Sequence, residues 1–448
     1  MTVQHGHDAP YRVQRPPSLQ LTTLRPDEIS RYQSEISPKR RFAWWDLGAW
    51  IVALSIFSFP IAGLLGALLG IQDDALSLIS RIAPLTCAAA LLLKRGIAGR
   101  LTAPSFYLTL FFAVYSARLI FDSIYGENVD GAIVALKFFS VTSLLPVAAA
   151  IMIIPSDWRE TETLVAGLFL ATIFLAISYY LVATGNFLIL GQEEGTLLGE
   201  DGTRVSFERL NAILFGHASV SAVCVSLCVL LTDSGRKMKI WAAIVTIASA
   251  AMAYQAASRG PLVALAMVAV LIIFSSGKSR WLLLALAILT VIGSLFSLMD
   301  FSGLLDRTRF TTVGEDAGSL ERFQLIIDAF SDFWNSPIYG NGFEVSGGGG
   351  YPHNVLVEVF MATGVIGGTI LLLALVPVFI KAYQSSKQSL NLGSMLFVQY
   401  FVGYQFSGSL WGAYLMWLGM AMVTHNLVGQ KLSIWRKKPN TGKSASFQ

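Results

Sequence analysis

The stretch of sequence that decides the fold runs from Tyr351 to Ile380 and reads YPHNVLVEVFMATGVIGGTILLLALVPVFI. Its apolar part begins at Val355 and is longer than the about 20 residues that a helix needs to cross a bilayer. His353 and Asn354 stand immediately before this part, so we expect both polar side chains at the membrane surface. Glycines follow a few turns further in, where small residues let a neighbouring helix approach closely.

The composition of the whole chain indicates a polytopic membrane protein. Of its 448 residues, 54% are hydrophobic and only 13% are charged, with a mean hydropathy of +0.60. A soluble domain has about 25% charged residues. The net charge of +4 is too small to favour a nucleic-acid partner. Cys87, Cys224 and Cys228 lie in apolar segments, where we interpret them as packing residues.

Apolar runs predict an all-α fold of about 12 transmembrane helices with a large outer loop. The candidate spans are about 47–70, 76–94, 103–121, 131–154, 164–184, 210–232, 240–258, 261–276, 281–298, 355–380, 393–407 and 410–427. A basic, largely disordered cytoplasmic tail (1–45) precedes the transmembrane domain (46–430), and a second basic tail follows (431–448).

Basic residues predict how the chain is oriented. With the N-terminus inside, loops such as 94–100, 236–239 and 381–387 carry Lys and Arg on the inner side, and no outer connection contains a lysine. This asymmetry follows the positive-inside rule. Both termini are therefore expected in the cytoplasm, and the two long loops, about 185–209 and 299–354, on the outer face.

The larger outer loop predicts a helix of its own. From Ser319 to Trp334, apolar residues such as Phe323, Ile326 and Phe330 recur at helical spacing, with polar residues between them. The pattern is typical of an amphipathic helix that lies on the membrane or across the mouth of the bundle. A structural lid and a substrate-contacting element both fit it.

Three motifs resemble the signature of the bacterial O-antigen ligase and polysaccharide polymerase superfamily. The first is His353-Asn354 followed by nine residues and then Gly-x-x-Gly, and the second is Ser258-Arg259-Gly260-Pro261-Leu262. The third, a weaker one, is Glu321-Arg322 opening the amphipathic run that ends in SPIYGNG (336–342). Their order and spacing cover roughly residues 200 to 425.

The motif residues also suit chemistry on their own terms. Arg259 precedes a predicted helix, and an arginine there can fork onto phosphate oxygens with help from the helix N-terminus. The alternative is an arginine that snorkels to the interface. His353 suits a base or a hydrogen-bond partner near neutral pH, and Asn354 suits orienting it or a sugar hydroxyl. His217, inside the sixth span, fits a core histidine better than a ligand.

Ionisable residues inside spans are costly and usually functional. The predicted topology places Arg81, Arg118, Lys137 and Glu358 in the outer half of the bilayer. Of these, Arg81, Lys137 and Glu358 are candidates for substrate binding. We hypothesise that some of the cations face a shared outer cavity and help to hold a pyrophosphate. The alternative is local pairing, such as Arg118 with Asp122 at i, i+4 on one helix face.

The resemblance implies an enzyme that transfers glycans at the outer face of the bacterial inner membrane. Its donor would be an oligosaccharide on undecaprenyl pyrophosphate, and its acceptor another glycan, with inversion at the anomeric carbon. Arg259 and Arg209, with Arg322 as a further candidate, would bind the pyrophosphate or its sugar, and His353 would act on the acceptor hydroxyl. Expected partners are membrane lipid and the chain-length regulator and flippase of the same pathway.

We expect no cofactor and no metal, because Asp-x-Asp, His-x-x-x-His and Cys-x-x-Cys spacings are missing from the outer segments. Three functions remain open. A polymerase for exopolysaccharide or O-antigen, which we prefer, transfers the glycan to another lipid-linked repeat unit. A ligase transfers it to lipid A-core in lipopolysaccharide biosynthesis. A transporter of lipid-linked oligosaccharides is less well supported. Many transporters have two similar halves, and this sequence shows no sign of them.

Overall fold

The computed structural model describes residues 47–71, 74–95, 102–144, 147, 160–185, 188–190, 204–207, 210–232, 234–256, 258–273, 317–347, 350–388 and 391–424. All of them belong to one compact unit, Asp46–Gln448. Both predicted tails, the predicted span at 281–298 and Arg209 lie outside the described residues.

The described chain is nearly all helical. Its helices are α1 (Leu47–Leu69), α2 (Asp74–Arg95), α3 (Ala103–Tyr125), α4 (Val129–Phe138) with a π-helical turn (Phe139–Leu144), α5 (Glu160–Ala183), α6 (Ala212–Leu231), α7 (Arg236–Gln255), α8 (Arg259–Ile273), α9 (Ala317–Asn335), α10 (Val355–Gln388), α11 (Leu392–Gly403) and α12 (Tyr414–Thr424). Two short antiparallel strands, β1 (Leu188–Leu190) and β2 (Arg204–Ser206), were not predicted and pair Leu188 with Ser206.

Among the described helices, five are long and apolar enough to cross a membrane: α1, α3, α5, α6 and α10 up to Lys387. Shorter apolar helices or segments occur at Ile79–Ala90, in α8, in α11 and in α12. Every predicted span within the described ranges overlaps a helix, although 131–154, 261–276 and 410–427 are described only in part. The helices α11 and α12 are shorter than the predicted spans 393–407 and 410–427. The number of crossings, about 12, stays a prediction.

The core is built from helix pairs that bury both apolar and small polar side chains. α1 packs against α2 and α5, α6 against α7, α8 against α11, and α3 against α10. Trp417 of α12 is fully buried, with its ring 5.8 Å from Phe111 and 5.5 Å from Phe112 of α3. Between α6 and α7, Thr246 donates to Ser226 at 2.8 Å, a polar contact of the kind that joins helices in lipid.

α10 is broken near its start by a loop. Gly364 has φ 63°, and the amide of Val365 beyond it donates to the carbonyl of Pro337 at 2.8 Å. A β-carbon on Gly364 would lie 2.3 Å from the carbonyl oxygen of Ile338. The expectation that a neighbouring helix approaches this glycine is therefore wrong, because it is the loop after α9 that does so.

Candidate functional site

A cavity of about 320 Å³ lies between several helices. It is lined by residues of α1, α2, α4, the start of α6, the end of α11, the start of α12 and the segment before α10. Aromatic side chains form much of the wall: Phe59, Phe138, Tyr351, Tyr400, Tyr404, Trp411 and Tyr414. The polar groups that point to chemistry are His353, Arg81 and His217.

His353 occupies a strained turn just before α10. Its φ is 52°, in the left-handed region that non-glycine residues rarely adopt and that often marks a functional site. Its ring lies 4.5 Å from that of Tyr351, and its Nδ1 is buried without a hydrogen-bond partner among the described residues. Burial lowers the pKa of His353, the guanidinium of Arg322 lowers it further, and Glu321 raises it. The neutral imidazole, the form that accepts a proton, is thereby favoured.

Val355 and Asn354 fasten this turn to the segment just after α11, and Arg322 fastens α9 to the same segment. Three successive carbonyls there accept hydrogen bonds: Tyr404 from the amide of Val355 at 3.0 Å, Gln405 from Asn354 Nδ2 at 3.2 Å, and Phe406 from Arg322 Nη1 at 3.2 Å. Asn354 Oδ1 also accepts from the amide of Val357 at 3.1 Å and so caps α10. Both ends of the Asn354 amide are occupied in holding the site, and its contact with substrate stays a prediction.

Arg81 is the second predicted site residue that lines the cavity. Its guanidinium carbon lies 4.0 Å from the ring centre of Phe138 and 5.1 Å from that of Phe59. An arginine stacked on aromatic rings is held in one orientation while its N–H groups remain at its edge. The arrangement places a positive charge in the same cavity as His353.

Glu358 lies behind the cavity instead of in it. It is completely buried in the first turn of α10, where its Oε2 accepts from the amide of Leu410 at 2.8 Å. The segment around Leu410, from Ser407 to Gly412, supplies several cavity residues. The geometry gives Glu358 a positioning role, and its predicted contact with substrate has no support from the lining residues.

Arg259 and Lys137 are also outside the cavity lining. Arg259 is the first residue of α8, and the neighbouring Gly260 packs beside Ser407 and His217, which do line the cavity. Lys137 lies on the exposed side of α4. The binding roles predicted for both residues stay predictions.

Arg118 follows the alternative of local pairing. It bonds Asp122 through Nη2 at 2.6 Å and Nε at 3.0 Å. It also donates to the carbonyls of Gly340 and Asn341, while Asp122 accepts from the amide of Phe343 at 3.0 Å. The pair holds the loop after α9 against α3.

The sequence did not point to the aromatic wall of the cavity. His217 is buried as expected of a core histidine, and it also lines the cavity. Tyr400, Tyr404, Trp411 and Tyr414 cluster around the junction of the last two predicted spans, and that local density was the available signal. No three potential metal-ligating side chains come together within the described ranges, and metal independence stays a prediction.

Fold and cavity define a multi-pass helical membrane protein with an aromatic-walled cavity that holds a histidine and an arginine. Residues 242–372 match the family model Wzy_C, described as O-antigen ligase. This match confirms the resemblance to the O-antigen ligase and polymerase superfamily seen in the motifs. This family consists of glycosyltransferase-like enzymes that act on lipid-linked glycans. No curated protein matches the chain.

Proposed function

We propose that this protein polymerises undecaprenyl-pyrophosphate-linked repeat units at the outer face of the bacterial inner membrane. The observation that carries the proposal is the cavity in which His353 and Arg81 meet an aromatic wall. Aromatic side chains suit the apolar faces of sugar rings, and a few placed polar groups fix orientation. Multi-pass helices give a polyprenyl chain access from the lipid.

In this proposal each reacting group has a partner. The acceptor hydroxyl oxygen attacks the anomeric carbon, its proton passes to His353, and the bond from that carbon to the pyrophosphate oxygen breaks with the electron pair leaving on the pyrophosphate. Attack from the opposite face inverts the anomeric centre. Arg81, with Arg259 and Arg209, stabilises the charge that develops on the leaving group, which supplies what a metal would otherwise supply.

A ligase is the second candidate, and the description of the matched family as O-antigen ligase favours it. It would use the same donor and the same cavity, but its acceptor would be lipid A-core. The two functions differ in what accumulates when the protein fails. A cell without the polymerase keeps single repeat units, whereas a cell without the ligase keeps polymer on the carrier lipid.

The test is a deletion strain complemented with wild type, His353→Ala, Arg81→Ala or the exposed control Lys237→Ala, with membrane expression measured for each. We expect the two cavity variants to express normally and to make no polymer, with single repeat units accumulating, while the control restores polymer. Polymer stranded on the carrier lipid would assign the ligase function instead. Normal polymer from both cavity variants would refute the proposed site.

A further inference from the structure

Two buried polar atoms on the cavity wall lack hydrogen-bond partners among the described residues. They are Nδ1 of His217, a residue 7% exposed, and Oγ of Ser407, a residue 5% exposed. A β-carbon on Gly260 would lie 3.6 Å from Ser407 Oγ and 3.9 Å from His217 Nε2. The position of that β-carbon therefore borders Ser407 Oγ and the Nε2 side of the His217 imidazole, not its unpaired Nδ1. We name this position the polar recess, and both His217 and Ser407 line the cavity.

The polar groups that surround the backbone of His217 are paired with one another. Gln399 donates to the backbone carbonyl of His217 at 2.9 Å, and Ser221 bonds Tyr400 at 2.7 Å and the same His217 carbonyl at 2.9 Å. Gln399, Ser221 and Tyr400 are therefore satisfied without the imidazole, whereas Gln405 Oε1, two residues before Ser407, is also buried without a partner among the described residues. Buried polar groups in native proteins nearly always have a partner, and an exception calls for an explanation.

The imidazole of His217 is held in place by packing. A β-carbon on Gly403 would lie 2.2 Å from its Cε1, so the ring sits directly on the backbone of α11. On another side, the ring of Tyr400 lies 5.6 Å away at 31°. A polar side chain that is fixed by packing and left unpaired is preorganised for a ligand.

We propose that the polar recess binds a hydroxyl group of a sugar in the lipid-linked glycan. This inference rests on the proposed function for the identity of the glycan. A hydroxyl both donates and accepts, which matches a neutral imidazole with one donor and one acceptor and a serine that does both. Tyr400 and Tyr404, in the same wall, suit the apolar face of the sugar ring. Arg81 lies on a different wall of the cavity, against Phe59 and Phe138, where its guanidinium could bind the pyrophosphate of the same lipid-linked glycan.

Gly260→Ala is the sharpest test. The added methyl would make only ordinary contacts at 3.6 and 3.9 Å, and Gly260 lies in a helix, where alanine is favoured. A purely structural role for Gly260 therefore predicts a normal protein. If the recess holds a hydroxyl, the methyl occupies its place. Ser407→Ala tests the same recess. It removes a hydroxyl that has no partner among the described residues, so a purely structural role for Ser407 also predicts a normal protein.

Binding would be measured by calorimetry on the purified full chain in detergent. The probes are sodium pyrophosphate and the repeat-unit oligosaccharide obtained by partial hydrolysis of the host's own surface polysaccharide. We expect both variants to raise the Kd for the oligosaccharide about tenfold, the effect of losing roughly one hydrogen bond to the ligand. The Kd for pyrophosphate should not change. The control Gly235→Ala, which has no atom within 4 Å of the new methyl, should behave as wild type.

Three results would overturn the inference: wild type that does not bind the oligosaccharide, variants that bind it as wild type does, or variants that lose pyrophosphate binding instead. These results differ from a failure of the proposed function. That failure would appear as full polymer output from His353→Ala and Arg81→Ala, whatever the binding data show.

Discussion

His353 keeps a left-handed backbone, which costs a non-glycine residue about 1–3 kcal/mol. Contacts made by the neighbouring residues offset this backbone strain. Tyr351 packs on the imidazole ring of His353. Asn354, the next residue, caps α10 through Oδ1 and donates from Nδ2 to the carbonyl of Gln405. The position of the imidazole thus depends on the contacts of Tyr351 and Asn354.

Asn354→Ala should destabilise the protein and reduce activity. It removes a helix cap, worth about 1 kcal/mol, and the bond to Gln405. Asn354→Asp keeps an acceptor for the cap but has no N–H for Gln405, so its loss should be intermediate. Thermal unfolding in detergent and polymer output measure the two effects. Equal melting temperatures for wild type and Asn354→Ala would show that the cap adds no stability.

The pH dependence of transfer should report the charge balance at His353. Burial and Arg322 lower its pKa and Glu321 raises it, so the neutral base persists as the pH falls below its usual value of about 6.5. Arg322→Gln should raise the pKa and move the acid limb of the rate profile to higher pH. Glu321→Gln should move the limb to lower pH. Shifts in the same direction for both variants would contradict this assignment.

At the scale of elements, α9 presents three different faces. Leu320, Phe323, Ile327, Phe330 and Trp334 form an exposed apolar stripe, and exposed polar residues such as Gln324 and Ser331 form a second side. The third side faces protein: Ala329 and Asp332 are buried, and Asp332 accepts from the amide of Ser346 at 2.8 Å. The predicted amphipathic helix is present as Ala317–Asn335, and Asp332, one of the polar residues between its apolar positions, is buried.

The apolar stripe of α9 should contact lipid. A stripe that is exposed in the folded chain and borders a polar face is typical of a helix at the membrane interface. A fluorophore on Phe323→Cys should be quenched by brominated lipids in proteoliposomes, whereas one on the adjacent Gln324→Cys should be quenched much less. Equal quenching at the two positions would place α9 away from the bilayer surface.

The ion pair on α3 should stabilise the loop after α9. Asp122→Ala leaves Arg118 without its partner and the buried amide of Phe343 without an acceptor, a loss of about 3 kcal/mol or more. We expect a clearly lower melting temperature and faster proteolysis within 336–347. Glu127→Ala, an exposed acid just beyond α3, is the matched control and should change neither. If Asp122→Ala melts at the same temperature as wild type, the ion pair does not stabilise the loop.

For the whole molecule, the sequence was a good guide to where helices lie and a poor guide to which of them meet. Hydropathy located the helices because a spanning segment must be long and apolar. It could not rank helix faces, since lipid-facing and protein-facing sides are both apolar. The sequence therefore identified Arg81 and His353 as separate candidates, and only the structure shows that both line one cavity. The hydrogen bond from the amide of Leu410 to Glu358 was likewise not predictable from hydropathy.

The predicted topology can be checked directly in cells. Single cysteines at Glu127 and Tyr339, both exposed, should react with a membrane-impermeant maleimide added from outside. Cysteines at Lys237 and Lys387, also exposed, should react only after the membrane is opened. A cysteine-free background is needed, with Cys87, Cys224 and Cys228 replaced. Labelling of Lys237→Cys in intact cells would reverse the assigned orientation.

The break in α10 has a consequence for anyone who exchanges segments between related proteins. The loop after α9 meets α10 through backbone atoms: Val365 donates to Pro337, and the amide of Asn341 donates to Met361 at 2.8 Å. A β-carbon on Gly340 would lie 2.3 Å from the carbonyl of Ala362, as one on Gly364 would from Ile338. This backbone contact between the loop and α10 depends little on side chains, but it requires glycine at both positions. A transplanted loop should therefore fit when Gly340 and Gly364 are transferred together, even if exposed side chains of the loop such as Ile338 and Tyr339 differ.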